Sequence, residues 1–577
     1  MKNKQIEDIF LRIADALEIK DENIFKVRAY RTAAHNISGL SRELSEIYSE
    51  DESSLGDIPG VGKDLKEKII ELISSGKLTY YEDLMKEFPE GFLDMLDLAG
   101  LGPKKIKKLK DELGINNAHD LEVACVEGRL ESIEGMGIKT QEKLIDSIKH
   151  FKKREGRMLL PEAYECANDI VAHLKKSKYI KKIEIAGSLR RGMETVGDLD
   201  ILVESDDKDK VMDHFTGYPE TESLIARGDT KSSISLKNGT QVDIRVVDTK
   251  SFGASLVYFT GSKEHNVRIR SIAKKYGYKV NEYGVFKVTK AGKEKYIAGL
   301  TEEDLYKALK MQWIPPELRE NRGEIEAALE GTLPDGLLKI GDIKGDLHLH
   351  TTASDGRADI MEMIERAKKK GYKYIAVTDH SQYVKIARGM DEKQLLKRME
   401  KIRKIDRSIK GIKVLAGVEV DILEKGKLDL EDYALKEADI VIAAVHSKFS
   451  LDEKSQTRRM LKAMDNKYVN VLAHPSGRLI TKRRPIELDF DKVFKEAAEN
   501  NIFLEINTHG ERTDLNDLHC IRAKELGAKF VINTDAHETD QLDEIKYGVI
   551  TARRGWLVKD DALNTYSLGK MLKALRR

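Results

Sequence analysis

Residues 183–203 read Ile-Glu-Ile-Ala-Gly-Ser-Leu-Arg-Arg-Gly-Met-Glu-Thr-Val-Gly-Asp-Leu-Asp-Ile-Leu-Val. The two ends, Ile183–Ala186 and Leu199–Val203, predict strands joined by a turn through Gly187, Ser188 and Gly192. Asp198 and Asp200 stand two apart, and on a strand residues i and i+2 share a face, so both carboxylates can reach one cation. Further on, Gln241-Val-Asp-Ile-Arg-Val-Val puts a third carboxylate, Asp243, on another strand-like run. A lone Asp-x-Asp is more often a surface loop. A Gly-Ser turn, an Asp-x-Asp beginning ten positions after Ser188 and a later Val-Asp-Ile between apolar residues form a far more specific set. Three acids on one sheet face suit two-metal phosphoryl transfer, with Mg²⁺ or Mn²⁺ held by oxygen ligands.

Towards the N-terminus a second pattern recurs three times: Ile58-Pro-Gly-Val-Gly-Lys, Leu98-Ala-Gly-Leu-Gly-Pro and Ile133-Glu-Gly-Met-Gly-Ile. Each precedes residues with apolar positions at helical spacing, such as Leu65, Ile69 and Ile70. A Gly-x-Gly between helices makes a tight turn and bares backbone N–H groups at the second helix's start, where a DNA phosphate fits. The glycines in question are Gly60, Gly62, Gly100, Gly102, Gly135 and Gly137. Lys104, Lys105, Lys107, Lys108 and Lys110 add positive charge behind the second copy.

Towards the C-terminus, strand-like runs alternate with helical patterns at Tyr374–Val377, Val414–Val420, Ile440–Val445, Val469–Ala473, Ile502–Ile506 and Lys529–Ile532. Such alternation predicts a parallel barrel, whose chemistry sits at the C-terminal strand ends. There the ligand-type residues fall: His348, His350, Asp355, His380, Glu419, His446, His474, Asp535 and His537. One such histidine is usually a core residue; nine ligand-type residues at equivalent ends point to metal. Mixed imidazole and carboxylate donors suit Zn²⁺, Mn²⁺ or Fe²⁺. Arg388, Arg478 and Lys482-Arg483-Arg484 are candidate phosphate contacts nearby, whereas His509 and His519 lie outside the ligand pattern.

Composition agrees with a multidomain protein that is neither disordered nor membrane-spanning. The chain has 577 residues, 34% of them charged, with 100 Lys+Arg against 99 Asp+Glu, which excludes a uniformly basic coat but not a local basic groove. Its longest apolar runs, such as Ile440–Val445, fall short of a membrane span, and Met1–Asp8 lacks the apolar core of a secretory signal. Three scattered cysteines, Cys125, Cys166 and Cys520, make no disulfide framework and fit a reducing cytoplasm.

With Phe25-Lys-Val-Arg-Ala-Tyr-Arg, Tyr258-Phe-Thr-Gly-Ser, Asn281-Glu-Tyr-Gly-Val and Gln312-Trp-Ile-Pro-Pro-Glu-Leu-Arg added, residues 1 to 320 resemble the family X DNA polymerases of the polymerase beta type. The resemblance implies that Asp198, Asp200 and Asp243 hold the ions and that Gly187, Ser188 and Arg191 cradle the triphosphate. It puts Tyr258 and Phe259 under the incoming sugar and Gly261 near the base. Asn266 and Arg268 would touch the nucleotide and the template minor groove. Lys26 and Tyr30 match positions for a 5′-phosphate, and Lys68 matches the lysine that removes deoxyribose phosphate through a Schiff base. Asp64 departs from the pattern: a carboxylate stands where the family carries a phosphate-binding lysine.

The C-terminal ligand string resembles the PHP (polymerase and histidinol phosphatase) family, with all nine positions filled. This resemblance implies up to three ions: one on His348, His350, Glu419 and Asp535, one on Glu419, His446 and His474, and one on Asp355, His380 and His537. The expected architecture is multidomain, α and α/β. A helix-hairpin-helix, lyase-like domain spans 1–92 and a helical DNA-binding domain with two further hairpins spans 93–152. A nucleotidyltransferase palm follows over 153–250, a thumb over 251–315, a linker over 316–340 and a distorted (β/α)7-type PHP barrel over 341–577. The implied protein is a monomeric, cytoplasmic, nucleoid-associated polymerase filling short gaps in base excision repair. Its partners are dNTPs and gapped or nicked duplex DNA, and its PHP domain is a 3′–5′ exonuclease or 3′-end-processing phosphodiesterase. The alternatives are a PHP domain that is structural or serves small phosphoesters, and a palm reduced to a DNA-binding scaffold.

Overall fold

The computed structural model describes residues 3–576 except 39–43, 59, 90, 99–100, 134–135, 137–140, 142–143, 145–156 and 290–291. Gly100, Gly135 and Gly137 therefore lie outside the described residues. The chain divides into two compact units, one of Met1–Glu155, Thr351–Asp359 and Val384–Gly389, the other of Gly156–His350, Ile360–Tyr383 and Met390–Arg577. Among the described residues no helix is long and apolar enough to cross a membrane.

The N-terminal part of the first unit is helical. One backbone hydrogen bond recurs three times there: Val61 N–H donates to the Ile58 carbonyl, Leu101 to Leu98 and Met136 to Ile133, at 3.0–3.1 Å. Gly62 and Gly102 each stand immediately before a helix, Lys63–Ser75 and Pro103–Leu113, and each helix ends at a left-handed glycine, Gly76 or Gly114. The sequence reading separates 1–92 from 93–152, but one apolar core runs from Ile6 to Leu144. Helix Asn3–Ile19 packs against both Ile24–Ser38 and Pro103–Leu113, so the two stretches share its apolar faces.

The second unit begins with strands β1 (Met158–Leu159), β2 (Lys182–Ile185), β3 (Thr195–Val196), β4 (Asp198–Glu204), β5 (Thr221–Arg227), β6 (Lys231–Leu236) and β7 (Gln241–Val247). β1 pairs with β3, and the other five form a sheet in the order β2-β4-β7-β6-β5. Strand alternation decides what each face carries. Leu199, Ile201 and Val203 of β4 and Val242, Ile244 and Val246 of β7 enter the core under helices Leu160–Leu174 and Lys208–Thr216. The opposite face is left to Asp198, Asp200 and Asp243.

A three-stranded sheet of β8 (Tyr278–Asn281), β9 (Gly284–Val288) and β10 (Glu294–Ala298) follows. The stretch 316–340, expected as a linker, is instead largely part of this domain. Leu318, Ile325, Ala328, Leu333 and Leu337 are buried in the same cluster as Val257, Ile269 and Leu305. The Pro and Gly residues there mark turns between short packed elements rather than a tether.

That region is pinned by one carboxylate. Glu302 receives Arg190 at 2.7 and 2.9 Å, the fully buried Arg319 at 2.8 and 3.1 Å, and Trp313 Nε1 at 3.1 Å. Burial alone would raise its pKa, but Arg319 and Arg190 overcome that and hold the carboxyl well below the usual range. A depressed carboxylate contributes stability above its unfolded pKa that is lost as pH falls through the folded value. Glu302→Gln is therefore expected to cost about 3–5 kcal/mol at neutral pH, because Arg319 loses its charged partner. Its deficit should shrink below about pH 4. Urea unfolding at several pH values checks both.

The last part is a barrel of seven parallel strands in sequential order: β11 (Gly345–Leu349), β12 (Tyr374–Val377), β13 (Lys413–Asp421), β14 (Ile440–Ala444), β15 (Val471–Leu472), β16 (Phe503–Asn507) and β17 (Lys529–Asn533). Leu349 bridges Ala536 just beyond β17 and joins the two edges. β15 is shorter than the apolar run that predicts it.

Candidate active sites

Parallel pairing of β4 with β7 sets Asp200 directly beside Asp243, with Asp198 beside Gln241. Burial, then the charges of Asp198 and Asp243, push the Asp200 carboxyl up to about 7. Asp243 moves the other way. Burial opposes ionisation, but Lys231 at 2.5 Å and Gln241 at 2.9 Å hold its pKa below the ordinary value, with Ser233 helping. The donor set is all oxygen, which fits Mg²⁺ or Mn²⁺. The turn after β2 starts the short helix Gly187–Arg190. Gly187 has φ +62°, and a Cβ there would come within 2.2 Å of Asp200 Oδ2. Gly187→Ala is expected to cut primer extension about 100-fold by displacing that carboxylate while leaving 3′-end hydrolysis intact. Gel assays of the two activities on one preparation test this.

The other expected polymerase residues are placed as follows. Tyr258 and Phe259 end helix Phe252–Thr260, ring centroids 5.1 Å apart, with the Arg245 guanidinium 4.7 Å from the Phe259 ring. Gly261 follows them with φ +74°. Asn266 Nδ2 donates to the Tyr258 carbonyl at 2.7 Å, and Arg268 pairs with Glu326 at 2.7 Å. Ser188 is half-buried on the turn. Arg191 is engaged, donating Nε to Glu320 at 2.9 Å and Nη1 to the Thr260 carbonyl at 2.6 Å. In the first unit, Lys26 and Lys68 both lie over the Tyr80 ring, at 5.3 and 5.1 Å, and buried Tyr30 stacks on that ring. Lys68 is paired with Asp64 at 2.5 Å, so the departing carboxylate reaches the candidate nucleophile itself.

At the barrel's C-terminal mouth five imidazoles converge on Glu419. His380 Nδ1 lies 2.9 Å from it, His474 Nε2 3.2 Å, His446 Nε2 3.3 Å, and His348 and His350 Nε2 3.5 Å each. Asp535 Oδ1 stands 3.0 Å from His350 and 3.4 Å from His348. The His350 ring stacks on those of His380 and His537, each 4.4 Å away. Among the described residues of the second unit, ligand atoms lie mutually close in His348–His350–Asp535, in His380–Glu419–His446 and among His350, His380 and His537. His380 thus stands beside Glu419 as well as beside His537, whereas the resemblance implies it only with Asp355 and His537. Asp355 lies on Thr351–Asp359, in the other compact unit.

Ring orientation is fixed from behind. Glu505 Oε1 is 2.7 Å from His348 Nδ1 and Asp421 Oδ2 is 3.2 Å from His446 Nδ1, while the other Glu505 oxygen accepts the backbone N–H of His474 at 3.0 Å. A carboxylate behind a histidine is the usual support of a metal ligand, and this mixed donor set fits Zn²⁺, Mn²⁺ or Fe²⁺. Burial disfavours charge throughout. Even so, Asp535, Glu505 and Glu419 raise the pKa of His348 well above its ordinary value, and the surrounding histidines hold Glu419 and Asp535 well below theirs. His474 and Asp535 both take positive φ, 29° and 54°. Strain of this kind gathers where a fold holds functional groups.

Comparison with known proteins follows this division. Residues 1–78 match the helix-hairpin-helix domain, 92–150 the SAM-like helix-hairpin-helix tandem, 255–320 the DNA polymerase beta thumb and 346–509 the PHP domain. Over 579 aligned residues, spanning all of both chains, the sequence is 40% identical to the DNA polymerase/3′-5′ exonuclease PolX of Bacillus subtilis. The chain belongs to the PolX family. Over its C-terminal part it is also 30% identical to a probable phosphatase of Thermoanaerobacter sp. across 242 residues, 40% of this chain and 94% of that protein. A probable phosphatase of Photobacterium profundum matches at 30% across 203 residues, 33% of this chain and 77% of that one. The helix-hairpin-helix and thumb matches imply that this PolX member binds DNA, and its two sites imply divalent metal.

Several PolX residues at these sites escape the sequence reading. Lys231 is invisible without the β6–β7 pairing that sets Ser233 beside Asp243. Glu505 and Asp421 do leave a signal, each being a charged residue inside an apolar strand. Conversely, Arg478, expected near substrate phosphates, is spent on Glu194 at 2.5 Å and on the Arg512 and Thr513 carbonyls. Lys482 pairs with Glu511, Arg483 donates to the Gly477 carbonyl, and Arg388 donates to the Ser354 carbonyl. His519 stacks on Phe490, as befits a residue outside the ligand pattern.

Proposed function

We propose that this PolX member extends primer 3′ ends in short gaps of duplex DNA from dNTPs, and that its PHP site hydrolyses 3′-terminal phosphodiesters. Asp198, Asp200 and Asp243 would hold Mg²⁺ or Mn²⁺, whose charge lowers the pKa of the primer hydroxyl and offsets that of the triphosphate. Asp243, the most buried of the three, lies nearest the departing hydroxyl proton in this reading. The Gly187–Ser188 turn and Arg191 take the triphosphate, and Tyr258 and Phe259 crowd the sugar's 2′ position, with Gly261 by the base. Asn266 and Arg268 border the nucleotide and template. Gly60, Gly62, Gly100, Gly102, Gly135 and Gly137 grip flanking phosphates by backbone N–H groups, with Lys26 and Tyr30 at the 5′ side. Lys68, paired with Asp64, stands on that flank as the candidate Schiff-base lysine for removing deoxyribose phosphate.

In the barrel, His348, His350, Asp355, His380, Glu419, His446, His474, Asp535 and His537 would hold up to three Zn²⁺, Mn²⁺ or Fe²⁺ ions, which supply a water-derived hydroxide at neutral pH. Glu505 and Asp421 keep the ligand rings aimed. The observation that carries the reading is the convergence of five imidazoles on Glu419 in a chain that also sets Asp200 beside Asp243. A 5′-labelled primer in a one-nucleotide gap, with Mn²⁺, is expected to lengthen with dNTP and shorten without it. A primer that never shortens would falsify the nuclease half. The similarity to probable phosphatases favours a second reading, in which the PHP site takes small phosphoesters. Rates on a 3′-labelled oligonucleotide and on p-nitrophenyl phosphate separate the two. A monomer in the cytoplasm, associated with the nucleoid, completes the proposal.

A further inference from the structure

The palm turn that follows β2 is braced by the C-terminal domain. Helix Ile545–Arg554 sets Ile550 against Gly192, where a Cβ would meet Ile550 Cγ2 at 2.1 Å. Its last residue, Arg554, is 4% exposed and donates Nη1 to the Arg191 carbonyl at 2.7 Å and to Glu320 Oε1 at 3.0 Å. The same Glu320 oxygen accepts Arg191 Nε at 2.9 Å. Asp517 takes the other arm of Arg554 at 2.7 Å and Arg322 at 2.9 Å. One carboxylate oxygen is thus shared by two guanidinium groups, one from the turn expected to hold a triphosphate and one from the barrel domain.

Resting on the reading that Arg191 binds the triphosphate, we propose that Glu320 competes with the nucleotide for Arg191, and that Arg554 is a positioning residue that sets how strongly it competes. A largely buried carboxylate attracts a cation far more than one in water. A second cation on the same oxygen divides that attraction. It also leaves Glu320 paired when Arg191 turns to the phosphates, so that no buried charge is stranded. Arg191, Arg322 and Arg554 against Glu320 and Asp517 leave one positive charge in excess, the sign an incoming triphosphate requires. The polymerase site is in this sense completed by a residue of the hydrolytic domain.

The test is steady-state one-nucleotide gap filling by the full-length chain, comparing KM for dNTP with kcat. Glu320→Gln removes the competitor and is expected to lower KM about fivefold, whereas Arg554→Gln leaves Glu320 bound to Arg191 alone and should raise it about fivefold. With Glu320 already neutral, Arg554 has nothing to divide, so the double variant should match Glu320→Gln. A purely structural brace predicts the reverse, a double variant worse than either single, and that result overturns the proposal. Unchanged 3′-end hydrolysis by Arg554→Gln reports that the barrel is intact; if the variant does not fold, Glu320→Gln decides alone, and an unchanged or raised KM sinks the idea. Arg191→Gln separates the two layers. If it leaves KM for dNTP unchanged, the triphosphate reading and this inference both fall. If it raises KM while Glu320→Gln does not lower it, only the competition is refuted.

Discussion

An Asp198→Ala/Asp200→Ala protein is expected to lose primer extension by about 1000-fold or more while still shortening the same primer. The expectation comes from the sheet. Asp200 and Asp243 are paired across parallel strands, and Asp198 projects from the same face two residues earlier. Burial and these neighbours push the Asp200 carboxyl up to about 7, which describes negative groups crowded together with too little compensation. A divalent cation would supply it, so removing two carboxylates would remove the reason for a cation to stay. The sign of the pH dependence follows. With a raised pKa, Asp200 takes up a proton as pH falls through 7, and proton and cation compete. The Mg²⁺ concentration for half-maximal extension by wild type should therefore be higher at pH 6 than at pH 8. Shortening should persist in the variant because no PHP ligand is touched. Loss of both activities would mean that the aspartates hold the fold or the DNA rather than the chemistry.

What the sequence exposes and what it hides divide along one physical line. The alternation of Leu199, Ile201 and Val203 with Asp198 and Asp200 is local, so the strand, its core face and its acidic face can all be read from consecutive residues. The candidate barrel ligands are legible too, since most of them fall within or just after a local strand-like run. The hidden features depend on partners distant in the chain. Lys231 reaches Asp243 only through the β6–β7 register, Glu505 reaches His348 across 157 positions, and Arg554 reaches Glu320 across 234. The misreading of 316–340 has the same origin. Pro315, Pro316, Gly331 and Gly336 are local signals of a break, whereas the burial of Leu318, Ile325 and Leu333 depends on a core assembled from Ala254 onward. Arg478 shows the converse error: a basic residue near the hydrolytic site invites a phosphate role until Glu194, 284 positions away, is found holding it.

His348→Ala/His350→Ala should give the mirror image, with hydrolysis of the primer 3′ end falling about 1000-fold or more and extension unchanged. Both rings are fully buried, and their Nε2 atoms stand 3.2 Å apart, facing Glu419 and Asp535. Such an assembly of imidazole and carboxylate in the interior is costly unless it is compensated, and bound divalent cations would provide that compensation. Glu505→Gln makes the sharper test, because Glu505 touches the His348 ring from behind, at 2.7 Å, and stands outside the ligand set. Weakening that support should lower metal affinity about 10- to 100-fold. The loss should therefore be recovered by raising Mn²⁺, whereas His348→Ala/His350→Ala should stay inactive at any concentration. Primer shortening measured against Mn²⁺ for the three proteins separates a positioning carboxylate from a ligand. A Glu505→Gln protein that excess Mn²⁺ does not restore would place Glu505 among the ligands themselves.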